Sequence, residues 1–168
     1  MRKFSIAVTA VLVLSVGSAI AQQQGGRGGR RGGGPAAPPT DPTVASQMTA
    51  AELSAALAKL GTDRPNASVR VFSLAPYTIN VEHRAPVAQA ASIHADEHEL
   101  FYVVEGSATM ITGGKLLPEN KGIEGGTPHK LNKGDFFMVP KGVPHWFSQV
   151  DPPVLNIMSF HLPVAATQ

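Results

Sequence analysis

Cysteine is absent from this chain of 168 residues. Its absence excludes disulfide bonds, thiolate metal ligands and a lipid-modified cysteine. A strong net charge is missing too: the chain has 14 basic and 12 acidic side chains, and removal of Arg2 and Lys3 would make the two signs equal. A balanced chain gives no indication of nucleic-acid binding. The sequence also has no internal repeat, phosphate-binding loop or Ser/His/Asp signature.

The longest apolar run lies at the N-terminus. Arg2 and Lys3 precede an apolar stretch over residues 4–16, and an A-x-A cleavage site ends at Ala21. This order predicts a secretory signal peptide over residues 1–21. We therefore expect a periplasmic or secreted protein with no membrane span once the signal peptide is removed.

Residues 22–46 are rich in Gln, Gly, Arg and Pro, which predicts a disordered linker because so few apolar groups are available to offset the entropy of ordering. A lead-in segment with one helix is expected over residues 47–66. Thr49 and Glu52 have the spacing of a capping box, and leucines then recur at helical spacing, so the helix is predicted over residues 50–60.

Residues 67–163 alternate short β-type runs with Gly and Pro turns and are predicted to form one all-β domain, followed by a tail over residues 164–168. The predicted strands cover residues 69–74, 77–83, 100–104, 107–112, 136–139, 146–150 and 154–162. The connection over residues 113–133 is long for a hairpin. It is interpreted either as a lid or binding loop, or as a surface excursion.

A regular pattern of turn residues precedes His145. Gly134 begins it, an apolar run follows, and Pro140 and Gly142 end that run. The pattern predicts a buried strand with an imidazole at its mouth, a position suited to a metal ligand or a proton carrier. The spacing G-x5-P-x-G-x2-H resembles the second sequence motif of the cupin superfamily, although Gln149 stands where that motif has asparagine.

An earlier stretch resembles the first cupin motif, which reads H-x-H, then Glu, then Gly at fixed spacings. His94, Glu99 and Gly106 match its second histidine, its glutamate and its glycine, and Ser92 replaces its first histidine. The resemblance covers residues 92–149. It implies a cupin-type antiparallel β-barrel (jelly roll) preceded by one short helix. It leaves the activity open, because one fold hosts many functions.

The resemblance further implies a site for one divalent transition metal (Zn, Mn, Fe, Cu or Ni) held by His94, Glu99 and His145. Two imidazoles and a carboxylate can bind such an ion and leave positions for water or substrate. Glu99 is also the candidate catalytic base if the metal leaves it free. Ser92 is a possible alternative ligand but a poor replacement for an imidazole, and His98 is the other alternative if the segment over residues 95–97 is a loop and not a strand.

Strand alternation predicts which side chains line the pocket. Phe101 and Val103 share the face of Glu99, while Phe147 and Gln149 share the face of His145. These four side chains are therefore expected to line the barrel mouth.

Three further polar residues lie near the two motifs. His161 alternates with buried-type residues near the chain end, so it is interpreted as a strand-end polar residue, with a pocket role as the alternative. Asp96 and Glu97 are interpreted as solvated turn acids, or as groups that reach the metal through water.

We expect the protein to bind a small molecule at the metal and to act as a dioxygenase, lyase or isomerase. The competing hypotheses are a non-catalytic binding or sensing module with a degraded metal site, and an envelope scaffold tethered by the linker. Residues 100–104 are apolar on both strand faces, so the outward face needs cover from the helix or from a second subunit, and a homodimer is expected.

Overall fold

The structure, a computed structural model, describes residues 40–60 and 64–164. The predicted signal peptide, most of the predicted linker and most of the predicted tail lie outside these residues, so the domain boundaries and the export signal stay predictions. No helix in the two described ranges has the length and apolar character needed to cross a membrane. The last part of the predicted linker lies along the first strand, where the Thr40 amide donates to the Ser73 carbonyl at 2.9 Å.

In the part of the chain that the structure describes, one α-helix, α1 (Ala50–Leu57), precedes the sheets. The Thr49 amide donates to Glu52 Oε2 at 2.7 Å and the Glu52 amide donates to Thr49 Oγ1 at 3.2 Å, so the predicted capping box is present. The helix ends earlier than predicted. The Leu60 amide donates to the Leu57 carbonyl, an i to i+3 bond that tightens the chain beyond the helix end.

All seven predicted strands are present, and within the described residues two antiparallel sheets surround one core, beside a separate two-stranded ribbon. The strands are β1 (Asn66–Leu74), β2 (Tyr77–Arg84), β3 (Glu97–Glu105), β4 (Ser107–Thr112), β5 (Lys115–Leu116), β6 (Ile123–Glu124), β7 (Thr127–Asn132), β8 (Phe136–Val139), β9 (His145–Val150) and β10 (Leu155–Pro163). A five-stranded sheet has the order β1-β2-β10-β3-β8, and a three-stranded sheet has the order β7-β4-β9. This architecture confirms the predicted all-β jelly roll.

The segment over residues 113–133 is not the long loop that the sequence suggested. It contains the two-stranded β5–β6 ribbon and the whole of β7, which pairs with β4 along its full length. Strand β7 was not predicted because it contains Pro128, and proline is depleted from strands. It is tolerated here since β7 is an edge strand of the three-stranded sheet.

The core lies between the two sheets and is built from inward-facing side chains of both. Its largest members are Phe101, Met110, Phe147, Leu155 and Ile157. Gly106 makes the turn from β3 to β4 with a φ of 83°, and a Cβ there would lie 2.1 Å from the Val154 carbonyl oxygen. The glycine of the first motif is therefore required by backbone packing.

Candidate metal site

The two motifs meet through the backbone. Ser92 and His145 form an antiparallel bridge, in which each amide donates to the other's carbonyl at 2.8 and 2.9 Å. The Gly142 amide donates to the His94 carbonyl at 2.6 Å. The turn that precedes His145 is thus tied to the loop that carries His94, which fixes the two histidines near each other.

Glu99 enters the same space from β3. It lies between β8 and β10, directly opposite Val139 on one side and His161 on the other. Its side chain is 1% exposed. A carboxylate held this deep is strongly destabilised unless positive charge or hydrogen bonds surround it.

His94, Glu99 and His145 converge on one point, and their ligand atoms all lie within 4.8 Å of one another. Nε2 of His94 and Nε2 of His145 each lie 3.1 Å from Glu99 Oε2. Two ligands bonded to one metal at 2.0–2.2 Å are about 2.8–3.6 Å apart at tetrahedral or octahedral angles. The three side chains therefore fit a divalent metal, although their role as ligands stays a prediction.

The hydrogen bonds of His145 point to the same chemistry. Its Nδ1 lies 3.3 Å from the carbonyl oxygen of Val143, which can only accept, so this contact favours the tautomer that has the proton on Nδ1. In the neutral ring, Nε2 then presents a lone pair to Glu99 Oε2. Two acceptors face each other, and the contact becomes favourable when a cation lies between them.

His161 joins this cluster from β10, which favours the pocket alternative over the interpretation as a strand-end polar residue. Its Nδ1 lies 2.7 Å from Glu97 Oε1, and its Nε2 lies 3.6 Å from Glu99 Oε1. Its ring lies edge-on to that of His94, with centroids 5.9 Å apart. Glu97 also lies 3.5 Å from Nδ1 of His94, so it is a half-buried part of the cluster and not a solvated turn acid.

A second carboxylate lies beneath the cluster. Glu82 is buried on β2, and it forms a possible ligand group with Glu99 and His161. Its Oε1 accepts from the Ser159 hydroxyl at 3.0 Å, and its Oε2 is paired with the Arg84 guanidinium. The arginine compensates the charge of Glu82. Glu99 is therefore the carboxylate that would attract a cation to the site.

Three of the four predicted lining side chains point into the barrel, and one does not. Phe101, Val103 and Phe147 are buried in the core, and the Phe101 ring lies 6.2 Å from that of His145. Gln149 is exposed and donates to Asp151 at 2.8 Å. The prediction for Gln149 was wrong because the β4–β9 register shifts between Thr109 and Met110, which breaks the alternation along β9.

The two alternative ligands differ in their placement. Ser92 lies opposite His145 in the backbone bridge, so its side chain is on the same face of the sheet as the imidazole. His98 alternates away from Glu99 on β3, and its Nδ1 accepts from the Lys141 amide at 3.1 Å. The structure thus does not bring His98 into the cluster, since its ring points away from Glu99.

These features define a jelly-roll domain with a histidine and glutamate cluster able to hold one metal ion. The family profile described as Cupin domain matches residues 78–152. Residues 78–152 therefore form a cupin domain.

Solved structures agree on the fold. The Cnp3 cupin domain of Schizosaccharomyces pombe has a TM-score of 0.51 with 13% identity, covering 64% of this chain and 72% of that chain. FeII HppE has a TM-score of 0.50 with 17% identity, covering 61% of this chain and 53% of the HppE chain. At these identities the likeness is one of fold alone. A search of curated proteins found no match.

Proposed function

We propose that this chain is an exported cupin-domain protein that binds one divalent transition metal through His94, Glu99 and His145 and holds a small molecule at the barrel mouth. The export proposal depends on the N-terminal sequence pattern. The metal proposal depends on one observation above the others. Two imidazole Nε2 atoms converge at 3.1 Å on a single oxygen of a carboxylate that is 1% exposed.

The burial pattern supports a small-molecule site on one side of the metal cluster. Glu99 and His145 lie deep, while the His94 side chain is 21% exposed and Glu97 is 27% exposed. A ligand would therefore approach over His94 and Glu97. Phe101 packs behind His145 and keeps water from the inner side, which strengthens electrostatic interactions at the mouth.

The residues support metal-dependent chemistry of the dioxygenase, lyase or isomerase type. A bound divalent ion would polarise a ligand oxygen at neutral pH. The Val143 carbonyl orients the His145 ring, and Glu97 performs the same task for His94. Glu99 could accept a substrate proton only through an oxygen that the metal leaves free. FeII HppE, which shares the fold, is named for ferrous iron, but that likeness does not select a metal for this chain.

The alternative is a non-catalytic module that binds or senses a small molecule. Ser92 favours it, because a serine hydroxyl at this position supplies no imidazole. The same barrel mouth could then hold a ligand without turnover. This alternative predicts ligand-dependent stabilisation of the protein that is equal with and without metal.

Metal analysis of the protein purified from its native compartment tests the main proposal. We expect close to one equivalent of a transition metal in the wild type and none in His145→Ala. A folded wild type that binds none of zinc, manganese, iron, copper or nickel would contradict the metal proposal and leave the binding module. Copper binds most divalent sites more tightly than the other first-row metals do. The native ion must therefore be identified by analysing the purified protein and not from affinities measured in vitro.

We also propose a homodimer formed through the outer face of the five-stranded sheet. Phe136 and Met138 on the edge strand β8 are 68% and 48% exposed, and the Phe136 ring packs on Tyr102 of β3 at 4.6 Å. Met138 lies opposite Leu100, so the apolar surface continues onto β3. In sedimentation experiments we expect the wild type to be a dimer and Met138→Lys to be a monomer. A monomeric wild type would contradict the proposal.

A further inference from the structure

We propose that Thr112 and His129 select the small molecule at the barrel mouth, by hydrogen bonding to a hydroxyl group of a flat ligand whose other oxygen binds the metal. This inference rests on the proposed metal-binding function and names the ligand class for that site. Both residues lie between the two cupin motifs in the chain, on strands β4 and β7 of the three-stranded sheet.

The strand register places Thr112 beside the metal cluster. Thr112 is directly opposite His145 in the antiparallel pair of β4 and β9, so the two side chains emerge on the same face of the sheet. Burial along β4 agrees, because Ala108 and Met110 are buried in the core and Thr112 continues their two-residue alternation. The Thr112 hydroxyl therefore lies on the inner face of the barrel, next to a proposed metal ligand.

His129 occupies the same face on the neighbouring strand. It is directly opposite the buried Met110 of β4. The alternation along β7 supports this placement, since His129 is half-buried and Leu131 is buried, while Lys130 between them is exposed. Nε2 of His129 lies 3.0 Å from Oγ1 of Thr112. A row of inward polar groups therefore runs from the metal cluster through Thr112 to His129.

An aromatic surface lies at the far end of this row. The ring of Phe137 on β8 lies beside the His129 ring, with centroids 4.9 Å apart and planes inclined at 56°. Phe137 is directly opposite Phe101, and the pair lies next to that of Val139 and Glu99. The polar row thus reaches the five-stranded sheet at a half-buried phenylalanine, and a flat apolar ligand body can pack against such a ring.

Hydrogen-bonding capacity identifies the ligand group that fits the pair. A threonine hydroxyl has one donor and two acceptor lone pairs, and a neutral imidazole has one donor and one acceptor. Their mutual bond uses one donor and one acceptor in either tautomer, so the pair retains one donor and two acceptors. A ligand hydroxyl can use both kinds at once, whereas a carboxylate only accepts and an ammonium group only donates.

The charges near the pair also favour a neutral ligand group. Lys130, which follows His129 in the chain, faces outward and is paired with Asp151. Lys115, the first basic residue after Thr112, is exposed on β5. Neither ammonium group is therefore placed to hold a ligand anion beside Thr112 and His129.

Binding of paired phenols to the zinc-loaded full chain tests the proposal by isothermal titration calorimetry. The probes are the meta and para isomers of hydroxymethylphenol, each compared with the ethylphenol of the same substitution, in which a methyl group replaces the second hydroxyl. The phenol oxygen is the metal-binding end of every probe, so the ratio of dissociation constants within a pair isolates the second hydroxyl. We expect wild type to prefer the hydroxymethyl member of at least one pair by roughly 2–10-fold, the net value of a neutral hydrogen bond.

Two variants should abolish this preference. Thr112→Val removes the hydroxyl with little change of shape, and His129→Phe removes both ring nitrogens, so His129→Phe provides the test should Thr112→Val fail to fold. Thr112→Ser keeps a hydroxyl and should keep the preference. The matched control is Thr109→Val, which makes the same change on β4 at a side chain that alternates to the opposite face from Met110. It should leave the preference unchanged.

The outcomes separate this inference from the metal proposal beneath it. A wild type that binds zinc but shows no preference within either pair overturns the role of Thr112 and His129 and leaves the metal site standing. A preference that survives both Thr112→Val and His129→Phe, or that Thr109→Val also abolishes, has the same consequence. A folded wild type that binds no zinc overturns both proposals.

Discussion

The inward face of β3 divides the barrel into two halves of opposite character. Glu97 and Glu99 lie at one end, and Phe101 and Val103 at the other, all on the same side of a single strand. β10 mirrors the change: His161 stands opposite Glu99, Ser159 opposite Phe101, and Ile157 opposite Val103. A polar pair, His161 and Glu99, thus lies at one end and an apolar pair, Ile157 and Val103, at the other, with Ser159 opposite Phe101 at the boundary.

The two halves contribute to the protein in different ways. The apolar half removes large side chains from water, and its stabilisation is present whether or not a ligand is bound. The polar half places a carboxylate and several imidazoles where water is scarce, which is unfavourable until a cation binds. One barrel therefore combines a ligand-independent core with a ligand-dependent mouth.

The largest effect is expected from damage to the apolar half. Leu155 is fully buried, and Leu155→Ala should lower the free energy of unfolding by about 2–5 kcal/mol through lost burial and the cavity left behind. Leu74→Ala makes the same chemical change at a side chain that is 44% exposed, so it should cost much less. Urea denaturation with and without metal measures both, and a loss that depends on metal would contradict the division into halves.

A smaller and conditional effect is expected from the polar half. A metal whose free concentration is 100 times its dissociation constant stabilises the folded state by about 2.7 kcal/mol. Added metal should therefore raise the Tm of the wild type and leave the Tm of His145→Ala unchanged. His98→Ala, whose ring points away from Glu99, should keep the full metal-dependent shift. Thermal melts of the three proteins test this, and a shift in His145→Ala equal to that of wild type would place the metal elsewhere.

The smallest effect is expected at the rim of the apolar half, where Asp151 joins neighbouring strands. Lys130, Ser107 and Gln149 bind its carboxylate and lower the pKa of Asp151 from 3.8 to about 2. A lowered pKa means that the ionised group stabilises the fold above pH 3.8, and this contribution disappears as the pH falls toward 2.

Asp151→Asn should therefore have a slightly lower Tm than wild type at pH 7, and the gap should narrow below pH 3.8. Melts of both proteins across this range are the measurement. A gap that stays constant with pH would mean that the ionised carboxylate contributes nothing specific.

Much of the fold and part of the site could be predicted from local sequence. Turn residues and alternation located seven strands, because strand ends and strand faces depend on neighbouring residues. His94, Glu99 and His145 were found through the spacing of the two cupin motifs, and each motif is a short local stretch of sequence. The β7 strand was missed because Pro128 is a locally unfavourable residue that an edge position tolerates.

The sequence by itself determined the β-rich architecture, the glycine turn at Gly106 and three residues of the candidate site. Only the tertiary structure decided that Gln149 faces outward and that His161 and Glu97 join the cluster. The physical reason is the strand register. A bulge between β4 and β9 and the pairing of β10 with β3 depend on contacts between distant parts of the chain, and a shift of one residue reverses the face of every side chain beyond it.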